Sequence, residues 1–402
     1  MPERRTSHLK ALIYLLAAAL SSACSDEPSH LEGDQNISLP DQLADLDGIT
    51  HIDGTLILNG ALLGAIELPE LQTVRDELIV QGTGIETLAL PALERVGGLV
   101  VEDNSQLRSI EVPVLSQVQP LSPSYVGPFG FGDNALLTEV TAPALTLVSG
   151  SIHLFGDALE AVYLPKLQSA WELEINSSGL STLEVPELKQ LTYFWVHRSA
   201  EALHTLALPN LLEISADMYI FGDALTTLTA PQLKTVNLGS VHSQLANLDL
   251  SLLQQAGHLS LCTAQLEQLA LPALERAQSL SIFCDSPLLE AVHLPSLASI
   301  GELDLSGVAL QTIDLDALED AAMVILYETA LTSVSLPSLL RTTHLELTDN
   351  PQLTDFDAPN LTELGFAKLI DNHPDLACLT TDDLFPALMQ TDPLTFELEE
   401  CP

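Results

Sequence analysis

The side chains of this sequence best suited to chemistry are rings set two positions apart. They are Phe129 with Phe131, His153 with Phe155, Trp195 with His197, Tyr219 with Phe221, and His242 beside Ser240; Glu174 and Asn176 interrupt the series. Residues i and i+2 of a strand leave the same face of a sheet, and equivalent positions on neighbouring strands lie about 4.8 Å apart. On adjacent strands these pairs predict one aromatic strip of roughly 25 Å. Phe, Trp and Tyr together number only 18 in 402 residues, so a strip that gathers them is a candidate interaction surface. Such rings stack on sugars or grip an extended peptide; they also stabilise a sheet with no ligand at all. Arg198, a scarce cation beside the strip, can meet an acid of a ligand or pair with Glu174.

Other chemistries find less support. Asp and Glu total 55 against 13 Lys and Arg, a formal charge of -42. That balance excludes the basic footprint a nucleic-acid partner requires. There is no G-x-S-x-G, P-loop, H-E-x-x-H or dinucleotide fingerprint. Asp103, Asp133, Asp157 and Asp223 recur at turns and offer oxygens to Ca2+, which needs six to eight ligands. Solvation of an acidic exterior is the simpler use of these residues. No cofactor and no metal site are predicted.

Something must hold the rings in line. The chain is 47% hydrophobic with a mean hydropathy of +0.27, too apolar for a disordered acidic chain. The apolar residues follow a Leu-Pro-x-Leu signature, with Pro at 69, 91, 113, 143, 165, 186, 209, 231, 272, 295, 337 and 359, and Ser251 and Asp316 filling two gaps. This gives 14 turns; eleven of the thirteen spacings are 21 to 23, and the one of 30 marks an insertion over residues 119–128. A self-similar period of this size predicts a solenoid. Within one turn, Leu88/Leu90 and Leu99/Val101 alternate with polar residues, the period of two short strands. Pro cannot donate to a ladder, so its column marks a corner.

The turn L-x-x-L-x-L-P-x-L-x-x-V, followed by G-x-L-x-I-x-x-N, resembles the receptor L domain repeat, a relative of leucine-rich repeats. The segment Asp41 to Leu58 is similar to that family's start, a short capping helix followed by G-x-L-x-I. The resemblance covers residues 41–377. It implies an all-β, single-stranded, right-handed parallel β-helix of about 14 turns with short helical caps. It implies little about function, because such solenoids carry unrelated ligands. Parallel β-helices also include polysaccharide-degrading enzymes. Those cluster Asp with Lys or Arg under long loops, whereas here cations are scarce and one loop is long.

The ends carry an address. Arg4, Arg5 and Lys10 precede the apolar run of residues 11–20, which is too short to span a bilayer. Ser21-Ser22-Ala23-Cys24 then resembles a bacterial lipobox, in which Cys24 is lipidated; an ordinary cleaved secretory signal is the alternative. The expected organisation is a signal peptide over 1–23, a lipidated tether over 24–40, repeats over 41–377 and a cap over 378–402. The four remaining cysteines fit two disulfides of an exported protein. Cys262 and Cys284 follow the same strand in consecutive turns, within bridging range. Cys378 and Cys401 flank a predicted helix over 379–389 and would staple the cap. No C-x2-C spacing supports zinc.

These expectations define a non-enzymatic, lipid-anchored protein of the bacterial outer membrane and cell surface. Its ligand would be a glycan or a protein bound on the aromatic face, and its membrane contact would be the lipid alone. The alternatives are a cell-envelope spacer without a ligand and a polysaccharide-degrading β-helix enzyme.

Overall fold

Each Leu-Pro corner closes in the same way. The N–H of the leucine after the corner donates to the carbonyl three residues back, as from Leu93 to Leu90 (3.3 Å), Leu167 to Leu164 (3.1 Å) and Leu297 to Leu294 (3.1 Å). This is a β-turn whose second residue is proline, where its fixed φ fits and no N–H is needed. Ser251 and Asp316 lack that ring and keep an N–H. There Asp249 Oδ1 accepts from Ser251 N at 3.1 Å, and Asp314 Oδ1 from Asp316 N at 3.3 Å. A carboxylate two residues upstream thus satisfies the donor that proline removes.

The computed structural model describes residues 29–119, 128–282, 286–378, 381–388 and 395–398. In a typical repeat, a three-residue strand such as Thr87–Ala89 enters the corner and a long strand such as Arg95–Glu102 leaves it. The long strands stack into one sheet of 20 strands, and the short ones form separate sheets of five, three, three and two. All pairings among the described residues are parallel, between consecutive repeats; for example Leu78 faces Leu99, and Leu303 faces Val324. Several long strands bend part-way along, where the register slips, as between Val148 and Ser151.

The result is an all-β solenoid of about 16 turns with very little helix. The 14 turns of the signature undercount it because two rungs precede the first Leu-Pro corner. Ser29–Glu32 and Gln35–Ile37 lie on Ile49–Asp53 and Leu56–Asn59. Ile37, Ile52, Leu56 and Leu58 are buried, so this rung begins before residue 41. Leu88, Leu90, Leu93, Val96, Leu99 and Val101 are all buried, and the same columns recur in every repeat as one continuous core. Burying each such side chain stabilises the fold by about 1.5–3 kcal/mol, but only when a neighbouring rung covers it.

The ends are built differently. A helix Pro40–Leu43 and a 3-10 turn Ala44–Leu46 connect the first rung to the second, with Leu46 buried. At the other end, the helices Pro374–Ala377 and Thr381–Leu384 are single turns. Phe385 packs between Phe356 (5.7 Å) and Phe396 (6.0 Å), and Thr395–Leu398 adds a strand to Glu363–Ile370. Of the helix expected over 379–389, the described residues hold Thr381–Leu384. Cys262 and Cys378 are disulfide-bonded. Cys284, Cys401, Cys24 and the leader 1–23 lie outside the described residues, as do residues 120–127 of the insertion.

The second corner, after the long strand, exists in two forms. In one, a residue with left-handed backbone precedes a buried polar one: Asp103 (φ 56) before Asn104, Asp133 (φ 50) before Asn134, Asp349 (φ 57) before Asn350. Asp tolerates this conformation better than most residues. The buried asparagine then serves the backbone of two rungs. Asn104 Oδ1 accepts from Thr83 N (2.9 Å) and Thr83 Oγ1 (2.6 Å), while its Nδ2 donates to Val80 O (2.9 Å) and Glu102 O (2.8 Å). Asn350 repeats the arrangement with Thr329, Leu326 and Thr348. In the other form no additional left-handed residue precedes the corner position, although Gly156 itself has a positive φ (119). Gly156, Ser177 and Gly222 follow the last inward residue by two positions, not three.

Candidate functional site

Shorter corners at Gly156, Ser177 and Gly222 lie in the middle of the solenoid, where the rings gather; the rung of Trp195 and His197 differs, with four positions from Val196 to the buried Ala200. Leu147–Phe155, Ser169–Asn176, Gln190–Val196, Glu213–Ile220 and Thr235–Ser243 are successive strands of the long sheet. One outward column reads His153, Glu174, Trp195, Tyr219, Ser240 by direct pairing. Two residues further on, Phe155, Asn176, His197, Phe221 and His242 form a second column at the corner. The rings in both columns are half-buried. Five rungs at this spacing extend about 19 Å.

Phe129 and Phe131 do not belong to this surface, which corrects the sequence expectation. Phe129 pairs with Leu99 and Ile152, and Phe131 with Val101 and Leu154; both are fully buried and pack edge to face at 4.7 Å. Gly130 takes the outward place, facing His153. The cause is the corner. Phe-Gly-Asp occurs at 131–133, 155–157 and 221–223. At 131 an extra left-handed residue, Asp133, precedes the buried Asn134; at 155 and 221 glycine itself turns the corner. The same tripeptide therefore sits one residue out of step, and one step reverses the face.

The remaining rings form two groups. Trp195 stacks on His197 (6.5 Å) and Tyr219 on Phe221 (6.1 Å), while Trp195 meets Tyr219 (4.5 Å) and Phe221 meets His242 (5.3 Å) with tilted planes. His153 and Phe155 stack separately at 5.2 Å. Between the groups lies Glu174. His197 Nε2 is 2.8 Å from Glu174 Oε1, and His153 Nε2 is 3.6 Å from Glu174 Oε2. The carboxylate expected to meet Arg198 is engaged by two imidazoles instead. Among the described residues Arg198 makes no ion pair, and it is exposed. Burial first, and the Arg198 charge second, hold the His242 pKa below the ordinary histidine value. Among the described residues the buried Trp195 indole N–H meets no acceptor, so ring contacts rather than a hydrogen bond place this side chain.

Sequence reasoning missed three neighbours. Trp171 and Tyr193 meet edge to face at 5.1 Å, with Trp171 exposed, and Glu172 Oε2 accepts from Ser151 Oγ at 2.6 Å. Tyr193 lies two residues before Trp195, so the same period-2 rule would have found it one column earlier. At the N-terminal end of the strip a cavity of about 580 Å³ opens beside Phe155, lined also by Asp133, Asp157 and Asn176. Among the described residues no three His, Cys, Asp or Glu side chains are grouped to hold a metal ion. Asp103 and Asp133 serve the corner backbone instead.

No family model matches the chain, and no curated protein matches it.

Proposed function

We propose that this protein is a non-enzymatic binding or adhesion module, related to receptor L domains and leucine-rich repeats. In this reading it is held at the bacterial outer membrane by lipid on Cys24. The middle rungs present a platform of rings to a glycan or protein ligand. The carrying observation is the unbroken series of ring contacts Trp195, Tyr219, Phe221 and His242 over neighbouring rungs, with Arg198, which makes no ion pair among the described residues, at its edge. Half-buried rings keep one face for a ligand while their own stacking fixes their orientation, which lowers the ordering cost of binding. The motif ending G-x-L-x-I-x-x-N supports the relationship, because its last residue is the buried Asn104 of the longer corner.

The test is a glycan and protein array probed with the parent chain and with Trp195, Tyr219 and Phe221 replaced together by Ala. The expected outcome is loss of the bound spots with an unchanged circular dichroism spectrum; binding that survives the triple change refutes the site. The spacer reading is favoured by one observation, that the rings contact each other as cross-strand pairs. It predicts that the parent chain binds nothing on the array.

A further inference from the structure

A cleft on another face of the solenoid gathers the charge that the rest of the surface lacks. It lies over the first rungs, where outward residues flank the buried Val74 and Val96. One row reads His30, His51, Thr73, Arg95 and Gln117 by direct pairing. The row two residues on holds Asp53, Arg75, Gly97 and Gln119, and the cleft between them has a volume of about 480 Å³. Gly97 notches the second row. A Cβ there would stand 2.3 Å from Asp76 O, so the position stays bare.

The composition of this cleft runs against that of the chain. Two of 13 Lys and Arg and two of 11 His line it, against one of 55 acids, Asp53. Arg75 Nη1 donates to Asp53 Oδ1 at 2.7 Å, and that hydrogen bond first, then the charges of Asp53 and Asp76, raise the Arg75 pKa. Among the described residues its other N–H groups meet no acceptor. Among the described residues Arg95 makes no ion pair, so of the two arginines that line the cleft one is free to meet a ligand, although the charge of Asp76 also acts beside Arg75. Thr50 Oγ1 is 3.2 Å from Ser29 O, to which it donates, and 2.8 Å from His51 Nδ1. With its proton committed, that oxygen accepts from His51 Nδ1–H and fixes the ring at the cleft wall. Thr73, Gln117 and Gln119 add neutral donors.

A guanidinium offers paired N–H groups that match the oxygens of a phosphate or sulfate. A cleft of this volume encloses more than the bare anion, within the range of small-ligand pockets. We infer that the cleft is a second binding site, for a sugar-sized molecule bearing one phosphate or sulfate ester. It is independent of the aromatic strip.

Titration calorimetry of the full chain with glucose 6-phosphate, glucose 6-sulfate and glucose tests this. The expected result is saturable binding of an ester and none of glucose; the stronger of the two esters identifies the group. Arg95→Gln should weaken binding by about tenfold or more, the loss of a charge-assisted pair. Arg276→Gln, on a distant rung, should leave it unchanged. Arg95 is exposed, and an unchanged circular dichroism spectrum establishes that its variant is folded. The inference is overturned if neither ester binds at millimolar concentration, if glucose binds as well, or if folded Arg95→Gln binds like the parent.

Discussion

The flanking and middle rungs of this solenoid solve one problem in two ways. At Asn104, Asn134 and Asn350 the corner spends an additional residue on a left-handed turn and fills the space with a buried amide. At Gly156, Ser177 and Gly222 the corner is a residue shorter and no asparagine is buried. Ser177 Oγ covers part of the need, donating to Gly156 O at 2.6 Å. In the N-terminal flank the outward positions at the corner are polar, such as Gln81 and Glu102, whereas the C-terminal flank places Tyr327 and Ile370 there. In the middle they are Phe155, His197, Phe221 and His242. The comparison teaches that corner length, not residue type alone, decides which face a ring joins. It also places the surface rings where the backbone has no asparagine network to hold it.

The sharpest way to break this comparison is at the repeated Phe-Gly-Asp. Phe131→Ala should destabilise by about 3–5 kcal/mol, the cost of emptying a buried phenylalanine site. Phe155→Ala, half-buried, should cost about 1 kcal/mol or less. Urea midpoints measure both, and equal losses would place the two phenylalanines in the same register. Next in size is the corner itself. Asn104→Ala removes the acceptor of the Thr83 N–H and hydroxyl and the amide donor to Val80 O and Glu102 O, the last of which keeps Gly82 N, so a loss of about 2–4 kcal/mol is expected in the same assay. Ser177→Ala removes one hydroxyl and should cost about 1 kcal/mol; a larger loss there than at Asn104 would reverse the assignment of the two corner types.

The smallest effect concerns charge in the middle rungs. The folded-state pKa of His242 is lowered, so its contribution to stability is complete above the unfolded value and declines as pH falls below about 6.5. Arg198→Gln removes the secondary cause and should raise the His242 pKa part of the way back, with burial still holding it down. An NMR titration of the imidazole reads this directly. An unchanged titration would separate Arg198 from the strip.

Much of the architecture was legible because it depends on periodicity. The columns of Leu88, Leu90, Leu99 and Val101 and the proline corner all follow from spacings within one turn. The two opening rungs were not, since residues 29–37 and 49–59 lack the Leu-Pro-x-Leu corner although they alternate in the same way. Part of the candidate site was legible too. Trp195, Tyr219, Phe221 and His242 were readable as outward residues because the inward residues beside them, Phe194, Val196, Ile220 and Val241, are in phase. Phe129 and Phe131 were misplaced because Phe-Gly-Asp looks alike in both registers, and the difference lies in the φ of Asp133.

The sequence by itself determined that this chain coils with a period near 22 residues around a leucine interior, because each turn repeats the same pattern of burial. Only the tertiary structure decided which rings face outward, that Glu174 joins two histidines, and that His51, Arg75 and Arg95 share a cleft. Those outcomes depend on alignment between residues more than 20 positions apart, and a single additional residue at a corner shifts that alignment by a whole face.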